Sequence, residues 1–141
     1  VFVAGYLVAW WLHSRLPFEI DAAGARLVQV GLGALFSAAG LALMGWGMVT
    51  FVRARTPIMP IRPARALVTS GPYRFSRNPM YVGVTVLYFG IALLTNLAWP
   101  IVLLPVVLLV MNALVIGREE RHLQAEFGQA YDEYRGRVRR W

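Results

Sequence analysis

No charged residue interrupts the chain from Met80 to Gly117. That stretch is too long for one bilayer crossing, which takes about 20 apolar residues. It divides at Thr95-Asn96-Leu97-Ala98-Trp99-Pro100, where Asn and Pro favour a turn. Two helices joined by a tight hairpin are therefore expected, over about 80–95 and 98–117, with Pro105 kinking the second or sitting in its first turns. Two more apolar runs precede them, 1–16 and 27–52. The second is long enough to span with some tilt. The first is short and begins at Val1 with the apolar run already under way. It lacks the basic start and small-residue cleavage site of a signal peptide, and reads as a clipped or processed first span. At 58% hydrophobic and 15% charged, a soluble domain of 141 residues could not hide this surface. The expectation is an all-α integral membrane protein: one domain of four transmembrane helices and a C-terminal cytoplasmic amphipathic helix.

Charge placement orients the spans. Every basic residue is Arg, and the net charge is +7. Arg53, Arg55, Arg62, Arg65, Arg74 and Arg77 follow the second run, and Arg118, Arg121, Arg135, Arg137, Arg139 and Arg140 follow the fourth. The positive-inside rule puts both groups in the cytoplasm, which an even number of spans allows. It also accounts for the basic balance, so no nucleic-acid partner is expected; the modules that bind nucleic acid need a soluble platform. The chain has no Cys, and its two His, His13 and His122, are far apart, so neither a thiolate site nor a His-based metal site is expected.

Between the spans, prolines at 57, 60, 63 and 72 keep the 53–79 segment irregular, along the membrane surface. Ala34, Ala38 and Ala42 give the second span a small-xxx-small face for tight bundle packing or dimerisation. In the tail, Leu123, Phe127, Tyr131, Tyr134 and Val138 recur at three- and four-residue steps, predicting one amphipathic helix over 118–141.

Three features exceed what a passive bundle needs. The run from Ser70 to Gly83 packs Tyr73, Arg74, Arg77, Asn78 and Tyr81 into the entry of the third span. Its arginines can grip a carboxylate or phosphate in bidentate fashion, although Tyr and Arg also serve as headgroup anchors. Glu119 and Glu120 put carboxylates beside the hydrocarbon, where charge is costly and finds partners. These partners are either neighbouring arginines or a ligand. Tyr131 and Tyr134, with Arg135 and Arg139 after them, suit a planar charged ligand, or equally a tail docked on the membrane. The residues alone leave each pair of readings open.

Together and in order, Gly71-Pro72-Tyr73-Arg74, Arg77-Asn78-Pro79-Met80-Tyr81 and Gly83, followed by Glu119-Glu120, Leu123, Phe127-Gly128, Tyr131, Tyr134, Val138 and Arg140, resemble two signatures. These are the signatures of the isoprenylcysteine carboxyl methyltransferase and phospholipid methyltransferase superfamily. The resemblance covers about 62–141. It implies a membrane enzyme that binds S-adenosylmethionine on its cytoplasmic face, in a bacterial inner membrane. Tyr73, Asn78, Pro79, Tyr81 and Gly83 would line one side of the cofactor and Glu119, Glu120, His122, Tyr131 and Tyr134 the other. Arg77, Glu120 and Arg139 would carry the catalytic roles. No metal is implied. The family often has His where this chain has Asn78, which hydrogen-bonds but does not titrate near neutrality. The acceptor would be lipophilic, entering sideways from the bilayer: a prenylcysteine-like carboxylate, a phospholipid amine or a small thiol. An amine must lose a proton, for which Glu or His122 offers a base. Two other readings are a non-enzymatic membrane scaffold, whose Arg and Tyr are anchors, and an NADPH-dependent membrane reductase, for which the tail lacks a nicotinamide-binding motif.

Overall fold

The computed structural model describes residues 1–20, 25–55 and 67–141. Asp21, Pro57, Pro60, Arg62, Pro63 and Arg65, with most of the expected surface segment, lie outside the described residues. Regular structure among the described residues is helical: α1 (Phe2–Arg15), α2 (Arg26–Arg53), a 3₁₀ turn (Gly71–Arg74), α3 (Pro79–Thr95), α4 (Trp99–Met111), a π-helical turn (Asn112–Ile116), α5 (Gly117–Phe127) and α6 (Gln129–Arg137). Two of these stretches, Arg26–Arg53 and the continuous Trp99–Phe127, are long and apolar enough to cross a membrane. Pro79–Thr95 is apolar but shorter. The outward faces of α1, α2 and α4 carry large apolar side chains such as Val3, Leu27, Leu35, Leu41 and Leu109 in the open. A contiguous surface of that kind suits lipid.

The closest packing is between α2 and α3. Gly33, Gly40 and Gly47 recur every seven residues on α2, and on α3 they meet Gly90 and Leu94, Gly83 and Leu87, and Met80 respectively. The backbones touch: a Cβ added at Gly40 would lie 2.6 Å from the Gly83 carbonyl, and one at Gly90 2.6 Å from the Ser37 amide. A seven-residue seam is the geometry of helices crossing at a shallow left-handed angle. The small-xxx-small face at Ala34, Ala38 and Ala42 is not used for packing within the bundle and is exposed. Its four-residue spacing belongs to the steeper right-handed crossing, and backbone contact admits Gly more readily than Ala.

At the end opposite the arginine-rich segments, Asn96 adopts the left-handed conformation (φ 58°) and closes α3. The Leu97 amide bonds back to the Ala92 carbonyl at 3.1 Å, a left-handed C-cap arrangement. Gln29 Nε2 reaches from α2 to the Leu93 carbonyl (2.8 Å) and Asn96 Oδ1 (2.9 Å). Asn96 Nδ2 in turn donates to Glu19 (2.9 Å), and Trp99 Nε1 to the Leu16 carbonyl (2.8 Å). These bonds tie the α1–α2 connection to the hairpin and fix the far end of the bundle.

The tail departs from a single helix. It bends at Gly128, whose φ of 50° and ψ of −121° are tolerated essentially by glycine alone. Gln124 Nε2 braces the bend by donating to Asp132 at 2.9 Å. α6 therefore turns back toward the start of α3 instead of continuing away.

Candidate active site

The site forms where three pieces of chain meet: the segment from the 3₁₀ turn to the first turn of α3, the start of α5, and the tail. Gly71, at φ +59°, and Pro72 start the 3₁₀ turn. A Cβ at Gly71 would sit 2.6 Å from Thr50 Oγ1, so this loop presses on the end of α2. That turn buries Tyr73 against Phe51, ring edge to face at 5.2 Å. Pro79 is fully buried and opens α3 at the position where its missing N–H costs nothing.

The tail is pinned to this loop along its length. Tyr134 is buried and its hydroxyl donates to the Tyr73 carbonyl at 2.8 Å. The Arg77 amide donates to the Arg139 carbonyl at 2.8 Å, a single parallel bridge between residues 76 and 139. Ser76 Oγ and Asn78 Nδ2 both donate to the Arg140 carbonyl, at 3.2 and 3.0 Å. The last residues thus form a strap across the entry of α3.

Beneath the strap lies a charged cluster. Glu120 faces two guanidinium groups: Arg77 at 3.0 Å and Arg140, which engages both carboxylate oxygens at 2.6 and 3.0 Å. The Arg77 and Glu120 side chains are only 11% and 15% exposed, whereas Arg140 is 45% exposed. The bond from Glu120 strengthens Arg140's hold on its proton. Arg77 also reaches the hydroxyl of the buried Tyr131 at 3.4 Å, and its Nε is buried with no hydrogen-bond partner among the described residues. Glu119 accepts from the Tyr81 hydroxyl at 2.7 Å. Burial pushes the Tyr134 phenol up to about 12, against the opposing pull of Arg77, so the ring stays neutral. Burial also raises Tyr73 and Tyr131.

The π-helical turn decides which residues of α5 reach this cluster. Buried positions on α4 step from Val107 to Met111, and then by five to Ile116. An uninterrupted α-helix would step by four to positions 115 and 119 and carry His122, not Glu120, inward. With the extra residue Glu120 joins Glu119 on the inward side, while Arg118, Arg121 and His122 are exposed.

Of the residues expected from sequence, Tyr73, Arg77, Asn78, Pro79, Tyr81, Glu119, Glu120, Tyr131 and Tyr134 come together. Three do not. His122 is turned outward by the π-helical turn. Gly83 faces α2, where its missing side chain admits Met44 and the Gly40 carbonyl. Arg139 contributes its carbonyl, while its neighbour Arg140 supplies the guanidinium on Glu120, because the extended chain at the strap alternates its side chains. Ser76 and Arg140 are the members that sequence reasoning missed. Both lie inside the two signature stretches, but strap pairing is not visible without the bend at Gly128.

The family model described as phospholipid methyltransferase matches residues 28–130, from the first turn of α2 to the start of α6. An uncharacterized protein of Haemophilus influenzae is 44% identical over 46 residues, covering 33% of this chain and 70% of that protein. No solved structure matches.

Proposed function

The chain belongs to the phospholipid methyltransferase family, and from that premise we propose that it transfers a methyl group from S-adenosylmethionine to a lipophilic or membrane-borne acceptor. The observation that carries the proposal is the charged cluster under the strap, with two carboxylates, two guanidinium groups and four tyrosines at one end of an apolar bundle. A passive anchor gains nothing from a buried ion pair, whose desolvation offsets most of its attraction.

The residues present fit S-adenosylmethionine. That molecule brings a carboxylate, an ammonium group, ribose hydroxyls, a flat base and a sulfonium. Arg77 has a buried Nε with no partner among the described residues, a spare donor for a carboxylate. Glu119 and Glu120 suit the ammonium or the ribose hydroxyls, and the Tyr81 and Tyr131 rings suit the base or the sulfonium. When bound, the sulfonium supplies an already activated methyl group, so the protein's task is alignment. In this reading Tyr81 fixes the Glu119 carboxylate, Arg77 fixes that of Glu120, and the strap excludes water. For an acceptor that must lose a proton, a glutamate is the base at hand, since His122 faces outward.

In the same reading α1, α2, α3 and the α4–α5 helix are four spans, with Arg53, Arg55, Arg74, Arg77 and the arginines of the tail on the cytoplasmic side of an inner membrane. The α4 and α1 surfaces are apolar, which gives a lipophilic acceptor a lateral route. The test is transfer of labelled methyl from S-adenosylmethionine into the organic-soluble fraction of membranes carrying the protein. Label should appear with wild-type protein and vanish with Glu120→Gln. Equal labelling by both would reject the site.

A further inference from the structure

The loop that carries Tyr73 and Arg77 has an outer face with no part in the site. Tyr73 and Ser76 are buried, whereas Arg74 is exposed and Phe75 is 71% exposed. The turn's own backbone bonds impose this pose: the Phe75 and Ser76 amides both donate to the Pro72 carbonyl, at 3.2 and 3.3 Å. A phenyl ring held open in water forgoes the gain of burial. Arg74 has no acidic partner among the described residues.

Their position along the bundle shows what covers them. The loop packs on the last turns of α2, where a Cβ at Gly71 would lie 2.6 Å from Thr50 Oγ1 and 3.3 Å from Trp46 Nε1. Trp46 is half exposed on that apolar helix, and Trp at the end of a span sits at head-group level. Arg74 and Phe75 therefore continue the lipid-facing surface of α2 at that level. The exposed charge there is of one sign. Arg53 ends α2, and Arg118 and Arg121 follow the apolar run of α4; all three are exposed and, like Arg74, lack an acidic partner among the described residues. Glu119 and Glu120, the acids of that level, turn into the site instead. Guanidinium groups with no acids among them complement anionic lipid.

We propose that Arg74 and Phe75 are a docking contact for anionic phospholipid at the bilayer surface. The ring enters the interface and the guanidinium takes a lipid phosphate. The lipid held there is not the methyl acceptor, because it meets the face of the loop turned away from the charged cluster. Tyr73, Ser76 and Arg77 belong to the same short loop, so the contact ties the position of the site to the membrane surface. The inference rests on the membrane placement of α2 and α3 given above, and stands apart from the chemistry of the site.

The test uses phosphatidylglycerol, which is anionic and has no amine to methylate. The full chain is released from nanodiscs of equal parts phosphatidylglycerol and phosphatidylcholine, and native mass spectrometry counts the lipids it retains. Wild-type protein should retain phosphatidylglycerol preferentially. Arg74→Gln should lower that preference about fivefold, the worth of one arginine at an anionic surface. Arg137→Gln removes the same charge from the tail and should keep the preference, and excess inorganic phosphate should displace no lipid. The chain has no Cys, so a nitroxide on Phe75→Cys reports this position alone. That label should be more accessible to oxygen, which concentrates in the bilayer, than to a water-soluble nickel chelate. No preference for phosphatidylglycerol, equal losses in Arg74→Gln and Arg137→Gln, displacement by phosphate, or a label open to the chelate overturns the proposal. None of these readouts involves S-adenosylmethionine, so such a failure leaves the methyltransferase reading standing. Absence of S-adenosylmethionine binding in wild-type protein would reject that reading instead.

Discussion

Replacing Gly40 by Ala should open the seam between α2 and α3. The new methyl would lie 2.6 Å from both the Gly83 carbonyl oxygen and the Leu87 amide nitrogen, and 2.9 Å from Leu87 Cα. Ordinary contact begins at 3.4 Å, so the helices must part by the difference, about 0.8 Å. Each obstructing atom is backbone, so no rotamer change relieves the clash. Overpacking of this kind costs about 1–3 kcal/mol, and the rigid neighbours put Gly40→Ala at the upper end. Helix propensity returns at most about 1 kcal/mol, leaving a net loss of about 2 kcal/mol. Gly45 lies on the same helix with nothing within 4 Å of an added Cβ. Gly45→Ala should therefore be neutral or stabilising by up to about 1 kcal/mol. Tryptophan fluorescence during titration with a denaturing detergent, in protein purified from membranes, gives both midpoints. Gly40→Ala should unfold earlier than wild type and Gly45→Ala no earlier. Equal midpoints for the two variants would refute backbone contact at the seam.

Arg77→Met should destabilise by about 3 kcal/mol, because it leaves Glu120 buried beside a partner that is half exposed. Arg140→Ala should cost under about 1 kcal/mol, since that bond is screened; the same detergent titration separates them. Deleting Val115 should restore a regular helix, rotate Glu119 and Glu120 by about 100°, and abolish cofactor binding while circular dichroism stays unchanged. Tyr134 is raised to about 12 in the folded protein from an unfolded value near 10. Its neutral form is the one the fold favours, so its contribution is complete below pH 10 and disappears as pH climbs to 12. The tyrosinate absorbance of wild type minus Tyr134→Phe should accordingly have a midpoint near 12, and a midpoint near 10 would contradict its burial.

The helices were legible because the apolar runs Met80–Gly117 and Leu27–Val52 leave the chain no other way to satisfy its backbone in lipid. Most of the candidate site was legible through the resemblance of its two signature stretches, which carry Arg77, Tyr81, Glu119 and Glu120; the cost of charge beside hydrocarbon said only that such residues need partners. What escaped was phase. Choosing between Ala34, Ala38 and Ala42 on one face and Gly33, Gly40 and Gly47 on another requires the crossing angle, which is a property of two helices together. Choosing between His122 and Glu120 requires the π-helical turn, and nothing local in Asn112-Ala113-Leu114-Val115-Ile116 announces a five-residue step. Arg140 displaced Arg139 for a similar reason. The bend at Gly128 lays the strap against Ser76 and Asn78, and the alternation of extended chain then picks the neighbour.

Calorimetry of S-adenosylmethionine binding to the purified protein in nanodiscs, with NADPH as the control ligand, tests the central claim most directly. The account predicts saturable binding of S-adenosylmethionine, none of NADPH, loss of binding in Glu120→Gln, and unchanged binding in His122→Ala. Folded wild-type protein that takes up no S-adenosylmethionine, or binding that survives Glu120→Gln and fails in His122→Ala, would contradict it.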